Sequence, residues 1–141
     1  MPPPKTLILA AALELLLLAA IDAVWLSLTG DAFYRRLLGP LLAPAPVVWA
    51  AAAFYLLYAA GVFVFVLRPA LAAPPRRWAG LFSGGFFGLV AYGTYDLTAQ
   101  AVMYQWPPLV TVIDMLWGAL LTGSTAWTAL QIVRRLPAGR R

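Results

Sequence analysis

Four acidic residues lie inside long apolar stretches of this 141-residue chain: Glu14, Asp22, Asp96 and Asp114. A carboxylate in the hydrocarbon of a bilayer costs at least about 2.5 to 3.5 kcal/mol at the centre of a spanning helix, so such groups usually face a bundle interior or a hydrated cavity. There they bind cations, relay protons or act as acid and base. The chain has no histidine and no cysteine, which excludes histidine-ligated haem, thiolate catalysis and disulfides.

Three interpretations of these carboxylates stay open. The first is proton- or cation-linked transport of a small solute, in which the acids bind solute and proton in turn. The second is a membrane enzyme acting on a lipid or isoprenoid, with a protonated aspartate as acid and an ionised neighbour as base. The third is a structural or accessory subunit whose acids only hydrogen-bond neighbouring helices.

No metal or cofactor is predicted, and membrane lipid is the expected partner. Metal-ligand spacings such as HExxH and DDxxD do not occur, although a carboxylate-only site for Ca²⁺, Mg²⁺ or Mn²⁺ stays open because hard cations prefer oxygen ligands. Ten Lys and Arg residues stand against five acids, a balance that suits anionic headgroups. Because no basic run is interleaved with aromatic residues, nucleic acid is not expected as a partner.

The elements that must position these acids are membrane helices. The sequence is 63% hydrophobic and 11% charged, whereas soluble domains carry roughly a quarter charged residues. Its length predicts a single domain over residues 1–141. Crossing a hydrocarbon core about 30 Å thick takes about 20 helical residues. Four segments meet that length, and they predict an all-α, four-helix transmembrane bundle: residues 7–28, 47–67, 80–102 and 109–133.

Positive charge predicts the orientation of this bundle. Eight cations fall on one side of the predicted spans: Lys5, Arg68, Arg76, Arg77, Arg134, Arg135, Arg140 and Arg141. Only Arg35 and Arg36 fall on the other side. By the positive-inside rule the richer side is cytoplasmic, so both termini are predicted to be inside the cell.

The connection between spans one and two, DAFYRRLLGPLLAPAP, is predicted to form a short interfacial helix. It places Phe33, Tyr34 and two leucines around Arg35 and Arg36, and this composition is typical of a helix lying in the headgroup region. It could equally cover the end of the bundle as a lid.

Helical rise predicts that three of the acids lie at one depth. At 1.5 Å per residue, Asp22, Asp96 and Asp114 each lie about 9 Å below the outer boundary of their predicted spans. Glu14 lies eight residues before Asp22 on the same helical face, about 12 Å deeper. We therefore predict a chamber lined by the three aspartates, with Glu14 beneath it as a further proton-relay site.

Side chains near the acids are predicted to support this site. The aromatic residues Tyr92, Tyr95, Trp25 and Trp117 offer hydroxyl and indole donors and faces that stabilise a cation, and Gln100 extends the polar face of span three. Arg35 and Arg36 could instead dip inward and neutralise the aspartates. Four tryptophans near span boundaries are assigned to an interfacial belt: Trp25, Trp49, Trp78 and Trp106.

A glycine stripe in span three predicts close helix packing. Gly80, Gly84 and Gly88 recur every four residues and lead into Tyr92 and Asp96. Small residues at this spacing let membrane helices approach closely. This contact is either internal or the interface of a homodimer. A homodimer is considered because four short helices leave little room for a pathway within one protomer.

Several motifs resemble a known family. VAYGTYDLT over residues 90–98, Trp106-Pro107 and TVIDMLWG over residues 111–118 resemble a family of small bacterial predicted inner-membrane proteins of unknown function. IDAVWL and FYRRLLGPLLAP fit its first half. The resemblance implies four spans in a bacterial inner membrane and no particular activity. That pattern commonly has asparagine where this chain has Ala99, so no role for an amide there is carried over.

Overall fold

The computed structural model describes residues 2–136, and they are helical with no strand, as the all-α prediction required. Four long helices account for most of them: α1 (Pro4–Thr29), α2 (Val48–Val62), α3 (Ala79–Val102) and α4 (Pro108–Arg135). Pro4 and Pro108 each begin their helix, where the missing N–H of proline removes no intrahelical hydrogen bond.

Two of the helices continue beyond a π-helical turn. α1 is followed by Gly30–Arg35 in π geometry, Arg36–Leu38 in α geometry and a 3₁₀ turn over Gly39–Leu41; we name residues 30–41 the extension. α2 continues through the π-helical Phe63–Leu67 into Arg68–Ala72. The predicted separate interfacial helix is therefore a continuation of α1. Gly30 keeps helical angles of φ −53° and ψ −55°. Between Gly30 and the Gly39-Pro40 pair there is no glycine or proline to end the helix.

Within residues 2–136, three helical stretches are long and apolar enough to cross a membrane: Pro4–Leu41, Val48–Ala72 and Pro108–Arg135. α3 is not among them, although its 24 residues are sufficient in length. Its sequence replaces leucine by glycine, threonine and tyrosine at many positions, which lowers its hydropathy. The fourth span stays a prediction.

α3 and α4 form the most extensive helix pair, and the glycine stripe lies between them. A Cβ at Gly80 would meet the Ala126 carbonyl, at Gly84 that of Thr122, and at Gly88 that of Gly118. The two residue numbers of each pair add up to the same value, so the helices run antiparallel and keep one register along the contact. The stripe is therefore an internal contact, not a contact between subunits.

The two ends of the bundle are closed differently. At the extension end, Leu38 of the extension packs with Ala99, Trp106 and Val110 in a separate apolar cluster. Trp106 is 6% exposed and its indole donates to Thr111 Oγ1 at 3.0 Å, so its assignment to an interfacial belt was wrong.

At the opposite end, which we name the arginine end, one side chain ties α4 to the continuation of α2 and to the loop before α3. The guanidinium of Arg134 donates to the carbonyls of Ala70 at 2.9 Å and Arg76 at 3.3 Å. The basic residues of this end thus also hold the helices together.

Candidate functional site

Two of the four acids lie on the buried face of α1. Ala10, Glu14, Leu18 and Asp22 are the buried residues of this helix, at 0%, 0%, 1% and 5% exposure. The spacing of four residues keeps them on one side of a helix with 3.6 residues per turn. Glu14 and Asp22 therefore both point into the bundle, about 12 Å apart along the axis.

Asp22 is fully engaged by two neighbouring helices. The Tyr55 hydroxyl of α2 donates to Oδ2 at 2.6 Å, and the Trp117 indole of α4 donates to Oδ1 at 2.9 Å. Each carboxylate oxygen thus has a donor, as a buried acid requires. Asp22 joins three helices.

Asp114 is held from the extension. The hydroxyl of Tyr34 donates to its Oδ1, and the Trp25 indole donates to the Tyr34 oxygen at 3.1 Å. Trp25 also stacks on Trp117 with 4.2 Å between ring centroids and 12° between planes. The partners of Asp114 are therefore in contact with those of Asp22, and the two aspartates belong to one aromatic network.

Asp96 differs from both. Its side chain is 0% exposed on α3, and neither carboxylate oxygen accepts a hydrogen bond from residues 2–136. Asp96 and Asp114 lie in the wall of a cavity of about 340 Å³ between α2, α3 and α4. The remaining wall is apolar or aromatic: Phe54, Tyr58, Ala91, Tyr92 and Tyr95.

The predicted common depth of the aspartates is corrected by the packing of α3 on α4. Continuing the glycine register places Tyr92 opposite Asp114 and Asp96 opposite Val110. Asp96 therefore lies about one turn, roughly 6 Å, closer to the extension end than Asp114. Counting from helix ends gave equal depths because it assumed that the ends are level.

The structure thus divides the predicted chamber. Asp96 and Asp114 share the cavity, whereas Asp22 is bonded beside it and is not part of its wall. Among residues 2–136 no three acidic side chains are close enough to ligate a metal ion.

Glu14 is linked to the cavity by three hydroxyl groups and one backbone carbonyl. Thr125 Oγ1 donates to Glu14 Oε1 at 2.9 Å and also contacts the Thr122 carbonyl at 3.3 Å. The Thr122 hydroxyl bonds the hydroxyl of Tyr58 at 2.7 Å, and Tyr58 is in the cavity wall. Glu14 Oε2 has no partner among the described residues. A buried polar chain therefore extends from the cavity toward the arginine end.

Three of the predicted supporting residues do not contact any of the four buried or half-buried acids: Arg35, Arg36 and Gln100. Arg35 is exposed and pairs with Asp31 at 3.0 Å, and Arg36 is exposed as well. The alternative in which arginines neutralise the aspartates is therefore not observed. Gln100 donates to the Trp106 carbonyl at 3.1 Å and accepts from Thr111 at 3.2 Å, so it fastens the α3–α4 turn.

Sequence reasoning missed two contributors to the site. Phe54 lines the cavity, and its spacing to Tyr58 on one face of α2 was the available signal. Tyr34 was placed in a segment predicted to lie in the interface or to cover the bundle as a lid, without a contact to any acid, yet it is the donor to Asp114. No local pattern could have found this contact, because it depends on how the extension folds over α4.

Apolar helices of membrane-spanning length, with acids directed inward, define an all-helical integral membrane protein. Residues 7–131 match the model of the family described as predicted membrane protein DUF2177. The chain belongs to this family, in agreement with the resemblance carried by its motifs. Neither the curated proteins nor the solved structures contain a match to it.

Proposed function

We propose that this protein binds a small cationic solute at Asp96 and Asp114 and moves it across a bacterial inner membrane in exchange for protons. The observation that carries the proposal is the unpartnered carboxylate of Asp96 in the wall of a cavity. The acids that have hydrogen-bond partners, Asp22 above all, fit a role in holding the helices together. Asp96 does not, because a buried acid with no donor stabilises nothing by itself.

A cation is the ligand that this wall favours. An ionised carboxylate in apolar surroundings needs a cation or a proton to be tolerated there. A second carboxylate, Asp114, lies in the same wall about one turn away. Binding of a cation and binding of a proton at this pair are therefore alternatives, which is the basis of exchange.

The polar chain to Glu14 supports the coupling to protons. The Tyr58 and Thr122 hydroxyls bond each other, the Thr125 hydroxyl contacts the Thr122 carbonyl at 3.3 Å, and Thr125 donates to the fully buried Glu14. This line of polar groups in an otherwise apolar interior supports a proton pathway between the cavity and Glu14, in which hydroxyls that can both donate and accept would take part.

The orientation follows from charge. We propose that α3 is the fourth span and that the arginine end, with Arg68, Arg76 and Arg77, faces the cytoplasm. The extension end and the cavity near it then face the periplasmic half of the membrane. A homodimer, if formed, uses a surface other than the glycine stripe, since α4 covers that stripe.

The test is uptake of a small organic cation into proteoliposomes. We expect an imposed proton gradient to drive accumulation of radiolabelled tetramethylammonium by the wild-type protein, and Asp96→Asn to abolish it while the variant stays folded. Asp31→Asn is the matched control, because Asp31 is an exposed aspartate that pairs only with Arg35. Thr125→Val, which removes the donor to Glu14 at similar volume, should retain binding and lose the gradient-driven component.

Equal uptake by wild type and Asp96→Asn would refute the proposal. Loss of thermal stability in Asp96→Asn, without any Asp96-dependent binding, would support the structural interpretation instead.

An enzyme is the second candidate, and the unequal environments of two carboxylates favour it. Asp114 accepts a hydrogen bond from Tyr34, whereas Asp96 has no donor, and such inequality separates an acid from a base in many active sites. The substrate would be a lipid or isoprenoid. Conversion of a membrane lipid by wild type and not by Asp96→Asn, with no cation uptake, would favour this candidate.

A further inference from the structure

We infer that the cavity at Asp96 takes a membrane-dissolved organic cation, an aryl- or alkylammonium, that enters sideways from the bilayer between α2 and α3. This inference rests on the proposed function and adds to it the class of ligand and its route. It depends on three features of the cavity: a roof, a lateral mouth and an aromatic wall.

The roof is the extension. Its Leu38 packs on Ala99, Trp106 and Val110 at the ends of α3 and α4, and Tyr34 reaches down from it to Asp114. Asp96 lies beneath this cluster, about one turn from Ala99 along α3. A hydrated solute therefore has no direct path from the aqueous phase at the extension end to the carboxylate.

The mouth is on the side of the bundle. Two of the wall residues are also exposed on the outer surface, Phe54 at 42% on α2 and Tyr95 at 63% on α3, whereas Tyr58 behind them is 8% exposed. Phe54 is the seventh residue of α2 and Tyr95 is seven residues from the end of α3. At 1.5 Å per residue both lie about 10 Å inside the helix ends, at a depth where acyl chains surround the protein.

The wall suits an organic cation better than a metal or a neutral lipid. Aromatic rings attract a cation within about 6 Å of their centroids. Tyr58 and Phe54 have centroids 5.4 Å apart, and Tyr58 and Tyr92 have centroids 6.0 Å apart at 88°, so the three rings form one aromatic cluster in the wall that a cation can approach. The Asp96 carboxylate supplies the charge. An ammonium with apolar substituents can cross the acyl region to reach the mouth, whereas a hydrated metal ion cannot.

The closing experiment compares binding of three cations to the protein in lipid nanodiscs: tetramethylammonium, benzyltrimethylammonium and benzyldimethyloctylammonium. We expect at least tenfold tighter apparent binding at each addition of an aryl or alkyl group, beyond the partitioning seen with Asp96→Asn discs. Tyr95→Leu should weaken binding of the benzyl cation by about 3- to 30-fold, the effect of losing one cation–π face. Tyr104→Leu, an exposed tyrosine on the α3–α4 turn that does not line the cavity, should change nothing.

The two proposals fail differently. Asp96-dependent binding of tetramethylammonium that equals or exceeds that of the two benzyl cations would overturn the lateral, lipophilic ligand and leave the cation transport proposal standing. Absence of any Asp96-dependent binding would overturn both. An unchanged affinity for the benzyl cation in Tyr95→Leu would likewise overturn the aromatic wall as the recognition element.

Discussion

Asp22 and Asp96 are both buried aspartates on helices of this protein, yet their surroundings give them opposite effects on stability. Asp22 accepts one hydrogen bond at each oxygen, from Tyr55 and Trp117. Asp96 accepts none from the described residues. A buried acceptor with donors contributes to stability, whereas one without donors carries an uncompensated desolvation cost. The pair therefore contrasts an acid that has hydrogen-bond partners with one that has none among the described residues.

Substitution by asparagine should reveal this difference in stability. Asp22→Asn should lower the free energy of unfolding by about 1 to 3 kcal/mol, because the amide NH₂ then faces one of the two donors and leaves it unpaired. Asp96→Asn should keep or raise stability, because it removes a carboxylate that has no partner. Thermal unfolding of the ligand-free protein in detergent measures both. A larger loss for Asp96→Asn than for Asp22→Asn would contradict this assignment.

Only part of this difference between Asp22 and Asp96 can be predicted from the sequence. Spacings of four and eight residues on α1 placed Glu14 and Asp22 on one inward face, because helical periodicity is a local property. Which acid is satisfied depends on Tyr55, Trp117 and Tyr34, and these come from three other parts of the chain. Distances between such partners follow from packing, and no local spacing contains them.

At the scale of elements, the contact of α3 with α4 fixes the site. Gly88 and Gly118 face each other so closely that a Cβ at Gly88 would overlap the carbonyl oxygen of Gly118. The neighbouring pair in the same register is Tyr92 and Asp114, one turn from Asp96. Backbone approach at the glycines therefore sets how near the two cavity carboxylates can come.

Gly88→Ala tests this contact. The added methyl group must push the two helices apart, because the obstacle is backbone, and overpacking of this kind costs about 1 to 3 kcal/mol. Gly30→Ala is the matched control: a Cβ there meets nothing within 4 Å, and its backbone is already helical. It should be neutral or stabilise by up to about 1 kcal/mol. Equal unfolding temperatures for the two variants would show that the helices do not approach closely.

The glycine stripe and the extension show how far elements can be read from sequence. Glycines at every fourth position predicted a close helix contact correctly, since nothing else explains that spacing on one face. The extension was predicted as a separate interfacial helix, or equally as a lid, because apolar and aromatic residues surround Arg35 and Arg36; Leu38 does pack over the ends of α3 and α4. Its continuity with α1 follows from helical angles at Gly30, and glycine composition alone does not indicate whether a helix stops or continues there.

At the scale of the whole molecule, charge and cavity are at opposite ends. The arginine end carries Arg68, Arg76 and Arg77 beside Arg134, which donates to the carbonyls of Ala70 and Arg76. The cavity lies nearer the extension end, beneath the cluster of Leu38 and Trp106. If the arginine end is cytoplasmic, as proposed, the cavity lies in the outer half of the membrane and the polar groups from Thr125 to Glu14 extend toward the cytoplasmic side.

Cysteine labelling tests this orientation directly, because the chain contains no cysteine of its own. Tyr104→Cys places a thiol on the α3–α4 turn, where the side chain is 85% exposed, and Ala73→Cys places one on the exposed loop after Arg68–Ala72. In intact cells a membrane-impermeant maleimide should label Tyr104→Cys and should label Ala73→Cys only after permeabilisation. Both positions lie on loops outside the long helices, so their accessibility depends on which side of the membrane each occupies.

The reverse pattern would put the arginine end outside. Labelling of both sites in intact cells would mean that α3 does not cross the membrane, and its hydropathy makes α3 the one long helix for which that outcome is a real alternative.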